Sequence, residues 1–184
     1  MNERRNNLET ARLIECNKVY TGELSVSINK FLANGKEISK ELVEYSDSVG
    51  IIPLDKDLNL VLIQQYRFAA RKLLIEIPAG KIESGETPVN AAIRELNEET
   101  GLTGTLEPLI NWYLAPGYST EKMHIFVARD LIKCKKRLAM DSDEKIVIRT
   151  MTLNSAVRKC VSGSIQDCKT ISAILLYSQL KRRI

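Results

Sequence analysis

The chain has little of what most metal-free hydrolytic chemistry draws on. It holds one histidine and one tryptophan in 184 residues. A Ser-His-Asp triad or a histidine-rich metal cage would have to rest on His124 alone, and both are set aside. The four cysteines (Cys16, Cys134, Cys160 and Cys168) form no C-x-x-C pair and have no zinc-like spacing with His124. They read as reduced structural thiols in a cytoplasmic protein. No apolar run approaches the roughly 20 residues that a membrane span needs. The opening residues MNERRNNLETAR lack the apolar segment of a secretory signal, so no membrane partner is expected. A concentrated basic stripe is also missing. The net charge is +4, with local excess only at KCKKR (133–137) and KRR (181–183). These read as a solvated loop and a helix end, and no nucleic-acid partner is expected. Internal repeats and low-complexity segments are absent.

What is present is an ordinary globular composition, 44% hydrophobic and 27% charged, in a length that suits one domain with a real core and a small subdomain. The first third reads as strands. Segments 11–22, 24–35 and 36–47 are separated by Gly-bearing turns and suggest a small antiparallel sheet. SVGIIPLD (48–55) and LNLVLIQQYR (58–67) flank an Asp-Lys-Asp turn and predict a hairpin. LLIEIPAG (73–80) reads as one further strand ended by Pro78 and Gly80. The period then changes. Val89, Ala92, Ile93 and Leu96 have helical spacing, with Thr87 as N-cap, Pro88 at the first position and Gly101 closing the helix. Strands are expected again at 106–115, 122–131 and 144–153, and helices near 153–163 and 167–183. The order points to an α+β protein, or a sheet sandwiched between helices.

The segment GKIESGETPVNAAIRELNEETGL (80–102) carries Glu83, Glu86, Glu95, Glu98 and Glu99. On a helix, Glu95 and Glu99 are four apart and Glu98 is three from Glu95, so the three form one acidic edge. Arg94 can pair with Glu98, but one arginine does not neutralise three carboxylates. Hard divalent cations are the natural partners of clustered carboxylate oxygens, and Mg2+ uses a few carboxylates together with substrate phosphates. A solvated acidic face is the bland alternative. The fixed spacing around the cluster argues against it: Gly80, five residues, Glu86, seven residues, Arg94-Glu95-Leu96, one residue, Glu98-Glu99, one residue, Gly101-Leu102.

That spacing resembles a complete Nudix box, matched at every fixed position. The resemblance implies a Nudix fold, a mixed β-sheet sandwiched between helices, and hydrolysis of a nucleoside diphosphate linked to another group. It implies Mg2+, or Mn2+, at two or three ions per active site. Glu95 and Glu99 are then the first metal ligands, with the Ala79 backbone carbonyl. Glu98 reaches a metal directly or through water, and Arg94 orients the carboxylates together with Glu86. The flanks QQYRFAARKLLIEIPAGKIESGE, APGYSTEKMHIFVARDL and DSDEKIVI (141–148) resemble the ADP-ribose pyrophosphatase branch, over roughly residues 44–177. Pro116, about fifteen residues past the box, is a marker of that branch or simply ends a strand.

On this resemblance Arg67, Glu76 and Gly117 are placed at the substrate. Arg67 meets a phosphate and Glu76 faces the nucleoside or an arginine. Glu121, the only carboxylate of the loop 115–121, is the favoured general base, with Glu98 or Glu144 as alternatives; Glu98 and Arg94 complete the catalytic set. Trp112 and Tyr113 read as core side chains before ring-stacking ones. Residues 1–45 form an N-terminal β subdomain expected to support a homodimer, and residues 46–184 the hydrolase domain. ADP-ribose is the expected substrate, giving AMP and ribose 5-phosphate. Other nucleoside diphosphate sugars, dinucleotides or triphosphates are the rivals within enzymes, and a non-hydrolysing ligand-binding regulator is the rival outside them.

Overall fold

The structure, a computed structural model, describes residues 11–139 and 145–181. The first ten residues, the acidic stretch 140–144 with Glu144, and residues 182–184 lie outside the described residues. The chain divides into two compact units. One comprises Met1–Ser46 and Tyr113–Glu121, and the other Asp47–Trp112 and Lys122–Ile184.

The first unit is an antiparallel meander of β1 (Arg12–Thr21), β2 (Ser25–Ala33) and β3 (Lys36–Glu44), as the three segments predict. Against the end of β3 lies the loop 115–121. Val43 N donates to Tyr118 O at 2.7 Å, Thr120 N donates to Val43 O at 3.0 Å, and Tyr45 N donates to Thr120 Oγ1 at 3.0 Å. The sequence gives no sign of this union, because the two segments lie about seventy positions apart and pair through backbone groups.

The second unit holds two sheets. One is ordered β7-β4-β9-β8, from β4 (Ser48–Pro53), β7 (Ala79–Lys81), β8 (Leu102–Tyr113) and β9 (Lys122–Lys133). Strand β4 is buried at all six positions, antiparallel to β7 and parallel to β9. Such a strand, covered on both faces, reads as a continuous apolar run. The other sheet is antiparallel, ordered β10-β5-β6, from β5 (Leu60–Arg67), β6 (Lys72–Glu76) and β10 (Val147–Met151). Helix α1 (Pro88–Thr100) lays Ala91, Ala92 and Leu96 on Val49, Ile51, Phe126 and Ala128. Helices α2 (Leu153–Val161) and α3 (Cys168–Lys181) pack on each other, and α3 also packs on β4 and β6. Among the described residues no helix is long and apolar enough to cross a membrane.

Two sequence expectations are corrected. The turn at 55–59 forms, with Asp55 Oδ1 accepting from Asp57 N and Asn59 N at 2.9 and 2.8 Å. Yet β4 and β5 do not make a hairpin. They share one bridge, Leu54 to Leu60, and then enter different sheets. β9 takes one edge of β4 along all six residues and β7 takes Ser48–Gly50 of the other, while Pro53 beside the turn has no N–H to give a further ladder. The single strand expected over 73–80 is also two strands. Residues up to Glu76 pair with β5, and Ala79–Lys81 pair with β4. Pro78 stands between them, without an N–H for either ladder, while its carbonyl accepts from Ile51 N at 2.8 Å.

Candidate active site

Helix α1 starts and stops as its sequence dictates. Thr87 is extended and its hydroxyl accepts from Asn90 N, Pro88 opens the first turn, and Gly101 closes the helix in the left-handed region at φ 70°. This fixes the phase of the helix. Glu95 and Glu99 point inward, 9% and 2% exposed, so the solvated-face alternative fails for these two carboxylates. Burying a carboxylate costs free energy unless it is paired and hydrogen-bonded.

The pairing is built around Arg94. Its Nη1 donates to Glu95 Oε1 at 2.8 Å and to Glu98 Oε2 at 2.9 Å. Its Nε and Nη2 donate to the two oxygens of Glu86 at 3.1 and 3.0 Å, and Nη2 also donates to Lys81 O at 2.8 Å. The Glu86 carboxylate, with burial opposing it, holds the Arg94 guanidinium above its ordinary range, and Arg94 in turn holds the Glu86 carboxyl below its own. Glu86 thus serves Arg94 in a fork geometry. The Ala79 N–H donates to Glu99 Oε2 at 2.9 Å. A Cβ at Gly80 would stand 1.9 Å from Glu95 Oε1, so only glycine lets the β7 backbone lie against that carboxylate.

Among the described residues no three Asp, Glu, His or Cys side chains already converge as a metal cage. Mg2+ does not require three. It takes one or two carboxylates and fills its remaining positions with carbonyl, water and phosphate oxygens. The hard oxygens of Glu95 and Glu99, beside the Ala79–Gly80 backbone, have the right chemistry, and the donor set fits the ion.

A second cluster lies at the end of β5. Arg67 donates through Nε and Nη2 to Glu76 Oε1 and Oε2, at 2.8 and 2.7 Å. Glu76 is fully buried. Burial pushes its carboxyl up, but the hydrogen bond from Arg67 and the charge and hydrogen bond of Lys169 outweigh this and leave it below the ordinary range. Of the two partners expected for Glu76, the structure shows the arginine. Arg67 is held above its ordinary range chiefly by its hydrogen bond to Glu76, with burial opposing and the charges of Glu76, Glu99 and Asp167 adding to it.

Glu121 and Gly117 belong to the loop of the first unit. Glu121 N donates to Ser119 Oγ at 3.2 Å, and Gly117 is exposed. Tyr113 is 60% exposed, against its expected place in the core, and Trp112 is half-buried. His124 pairs with Asp47 at 3.3 Å.

Three residues escape the sequence reading. Lys169 and Asp167, at the start of α3, complete the Glu76 cluster. Arg137, within the run read as a solvated loop, donates to the carbonyls of Glu98 and Glu99 at 2.9 and 2.7 Å. The signal for Arg137 was available: α1 has no basic residue in its last turn, so its C-terminal carbonyls need a donor from elsewhere. No comparable signal marks Lys169.

Comparison with known proteins agrees with this geometry. The profile of the NUDIX domain matches residues 44–165, and the chain belongs to the Nudix family. It is 34% identical over 154 residues to an ADP-ribose pyrophosphatase of Bacillus subtilis (strain 168), covering 83% of each chain. It is 36% identical over 154 residues to a methanol dehydrogenase activator of Bacillus methanolicus, again with 83% of each covered. Among solved structures, that of an ADP compounds hydrolase matches with a TM-score of 0.82 at 25% identity, over 95% of this chain and 96% of that one.

The close approach at Gly80 generates a test. Gly80→Ala should leave the protein folded, because the group it meets is the end of a side chain, and should lower turnover by about 100-fold, the scale of a misplaced active-site group. Circular dichroism and steady-state kinetics check the two parts, and near-normal turnover would show that the position of Glu95 is unimportant.

Proposed function

We propose that the chain hydrolyses the pyrophosphate bond of ADP-ribose, giving AMP and ribose 5-phosphate, with Mg2+ as its cofactor and Mn2+ as a substitute. One observation carries the reading: an intact Nudix box whose buried Glu95 and Glu99 lie against the Ala79–Gly80 backbone, in a chain similar along most of its length to an ADP-ribose pyrophosphatase. Glu95, Glu99 and the Ala79 carbonyl would hold the metal, with Glu98 directly or through water. When bound, the metal neutralises phosphate charge and lowers the pKa of water. Arg94 keeps Glu95 and Glu98 in place and does not touch substrate. Arg67 meets a phosphate with its planar guanidinium. Glu121, assigned by the resemblance of its loop, takes the proton of the attacking water as the new O–P bond forms and the bridging P–O bond breaks. The similarity to an ADP compounds hydrolase is reason to test other ADP-linked diphosphates beside ADP-ribose.

The proposal includes a homodimer. Strand β1 is a sheet edge exposed at all ten positions, and it carries Leu13, Val19 and Tyr20, each more than half exposed. An uncovered edge with apolar side chains suits pairing with a second copy through an isologous interface. The four cysteines are free, as in a reducing compartment, and the proposed setting is the cytoplasm.

AMP release from ADP-ribose is expected with Mg2+ and should vanish in excess EDTA. Glu99→Gln keeps the size of the side chain and removes a charge, and turnover should fall at least about 100-fold. Full activity of that variant, or in EDTA, would refute the metal site. Glu121→Gln should lower kcat and leave KM nearly unchanged, as a base acts in the transition state. A collapse of binding with turnover preserved would make Glu121 a binding residue. Analytical ultracentrifugation at micromolar concentration should give twice the monomer mass, and a fully active monomer would remove the dimer from the proposal.

A further inference from the structure

The Glu76 cluster holds more positive charge than one buried carboxylate needs. Arg67 already satisfies both oxygens of Glu76 in a bidentate pair. Lys169 nevertheless places its ammonium on Glu76 Oε2 and, at 3.0 Å, on Asp167 Oδ1. The Lys169 side chain is only 12% exposed, an unusual position for lysine, which is rarely buried unless paired. Asp167 is itself fixed. Its Oδ2 accepts from Thr170 N at 3.0 Å and from Thr170 Oγ1, and Thr170 Oγ1 accepts from Ile77 N at 2.9 Å. Helix α3 and strand β6 are locked together at this point. The two cations and two carboxylates sum to zero charge.

The two cations differ in freedom. Lys169 is enclosed, whereas the Arg67 side chain is 40% exposed. If Arg67 alone neutralised Glu76, any turn of its guanidinium toward a phosphate would strand a buried carboxylate, which is costly. With Lys169 on the same oxygen, Glu76 stays paired while Arg67 shares or transfers its donors.

We propose that Lys169 is a positioning residue for substrate binding: it holds the Glu76 charge so that Arg67 is available to the diphosphate. This rests on the reading of Arg67 as a phosphate-binding group. Lys169→Met should raise KM about tenfold with kcat little changed, and Lys169→Arg should restore most of the loss, since neighbours in one ion-pair network couple strongly. The decisive measurement is a double-mutant cycle with Arg67→Lys. The proposal expects Lys169→Met to add less than about threefold to KM once Arg67 is changed. Additive effects, or an Arg67→Lys variant with unchanged KM, would overturn it. If Lys169→Met does not fold, the comparison moves to Glu76→Gln with and without Lys169→Met, where the buried Glu76 charge is gone and Asp167 keeps its hydrogen bonds from Thr170. There, KM within about threefold supports the proposal and a tenfold rise overturns it. All variants are assayed on the diphosphate that the wild type cleaves best. A wrong substrate therefore shows in the wild type alone, and a wrong role for Lys169 shows only in the ratios between variants.

Discussion

One guanidinium sets the conditions for the rest of the site. Arg94 binds three carboxylates and a backbone carbonyl at once, joining the loop before α1, strand β7 and the helix itself. Planar, five-donor geometry makes this possible, and a lysine has no equivalent. Without that hub, the buried Glu95 would lie beside Glu86 and Glu98 with no guanidinium to neutralise the three. With it, the acidic edge can be packed against backbone atoms instead of being left to solvent. The acidity that looks like a cost in the sequence becomes a rigid arrangement in the fold.

The change of sheet at Pro78 distributes this rigidity. One short segment serves both sheets of the second unit, so Glu76 faces Arg67 from one ladder while Ala79 and Gly80 face Glu99 and Glu95 from the other. Only Ile77 and Pro78 separate the two clusters along the chain. Arg137 adds a second constraint from outside, holding the carbonyls of Glu98 and Glu99, so that α1 is fixed at both ends.

Local chemistry explains what could be read in advance. The helix was legible because Thr87, Pro88 and Gly101 each carry a positional meaning independent of tertiary context. The carboxylate edge was legible because helical spacing fixes which side chains share a face. Family membership followed from the spacing of the box. The hairpin failed because a good turn at Asp55 says nothing about which strand edges are vacant. Strands β6 and β7 were merged because an apolar run does not show a change of partner. Tyr113 was misplaced since aromatic character alone does not decide burial. Lys169 was invisible, as its meaning arises only when α3 docks beside Glu76, more than ninety residues earlier.

The backbone hydrogen bonds between β3 and the loop 115–121 make the amino-terminal meander and that loop parts of one unit. The chain therefore crosses between units three times, after Ser46, after Trp112 and after Glu121. In evolutionary terms the meander is not a detachable appendage. An insertion, deletion or exchange between relatives at residue 46 would separate two segments that complete each other's backbone bonding. A chimera that takes the meander from one parent should take residues 113–121 from the same parent, and drift in length on either side is expected to be matched on the other.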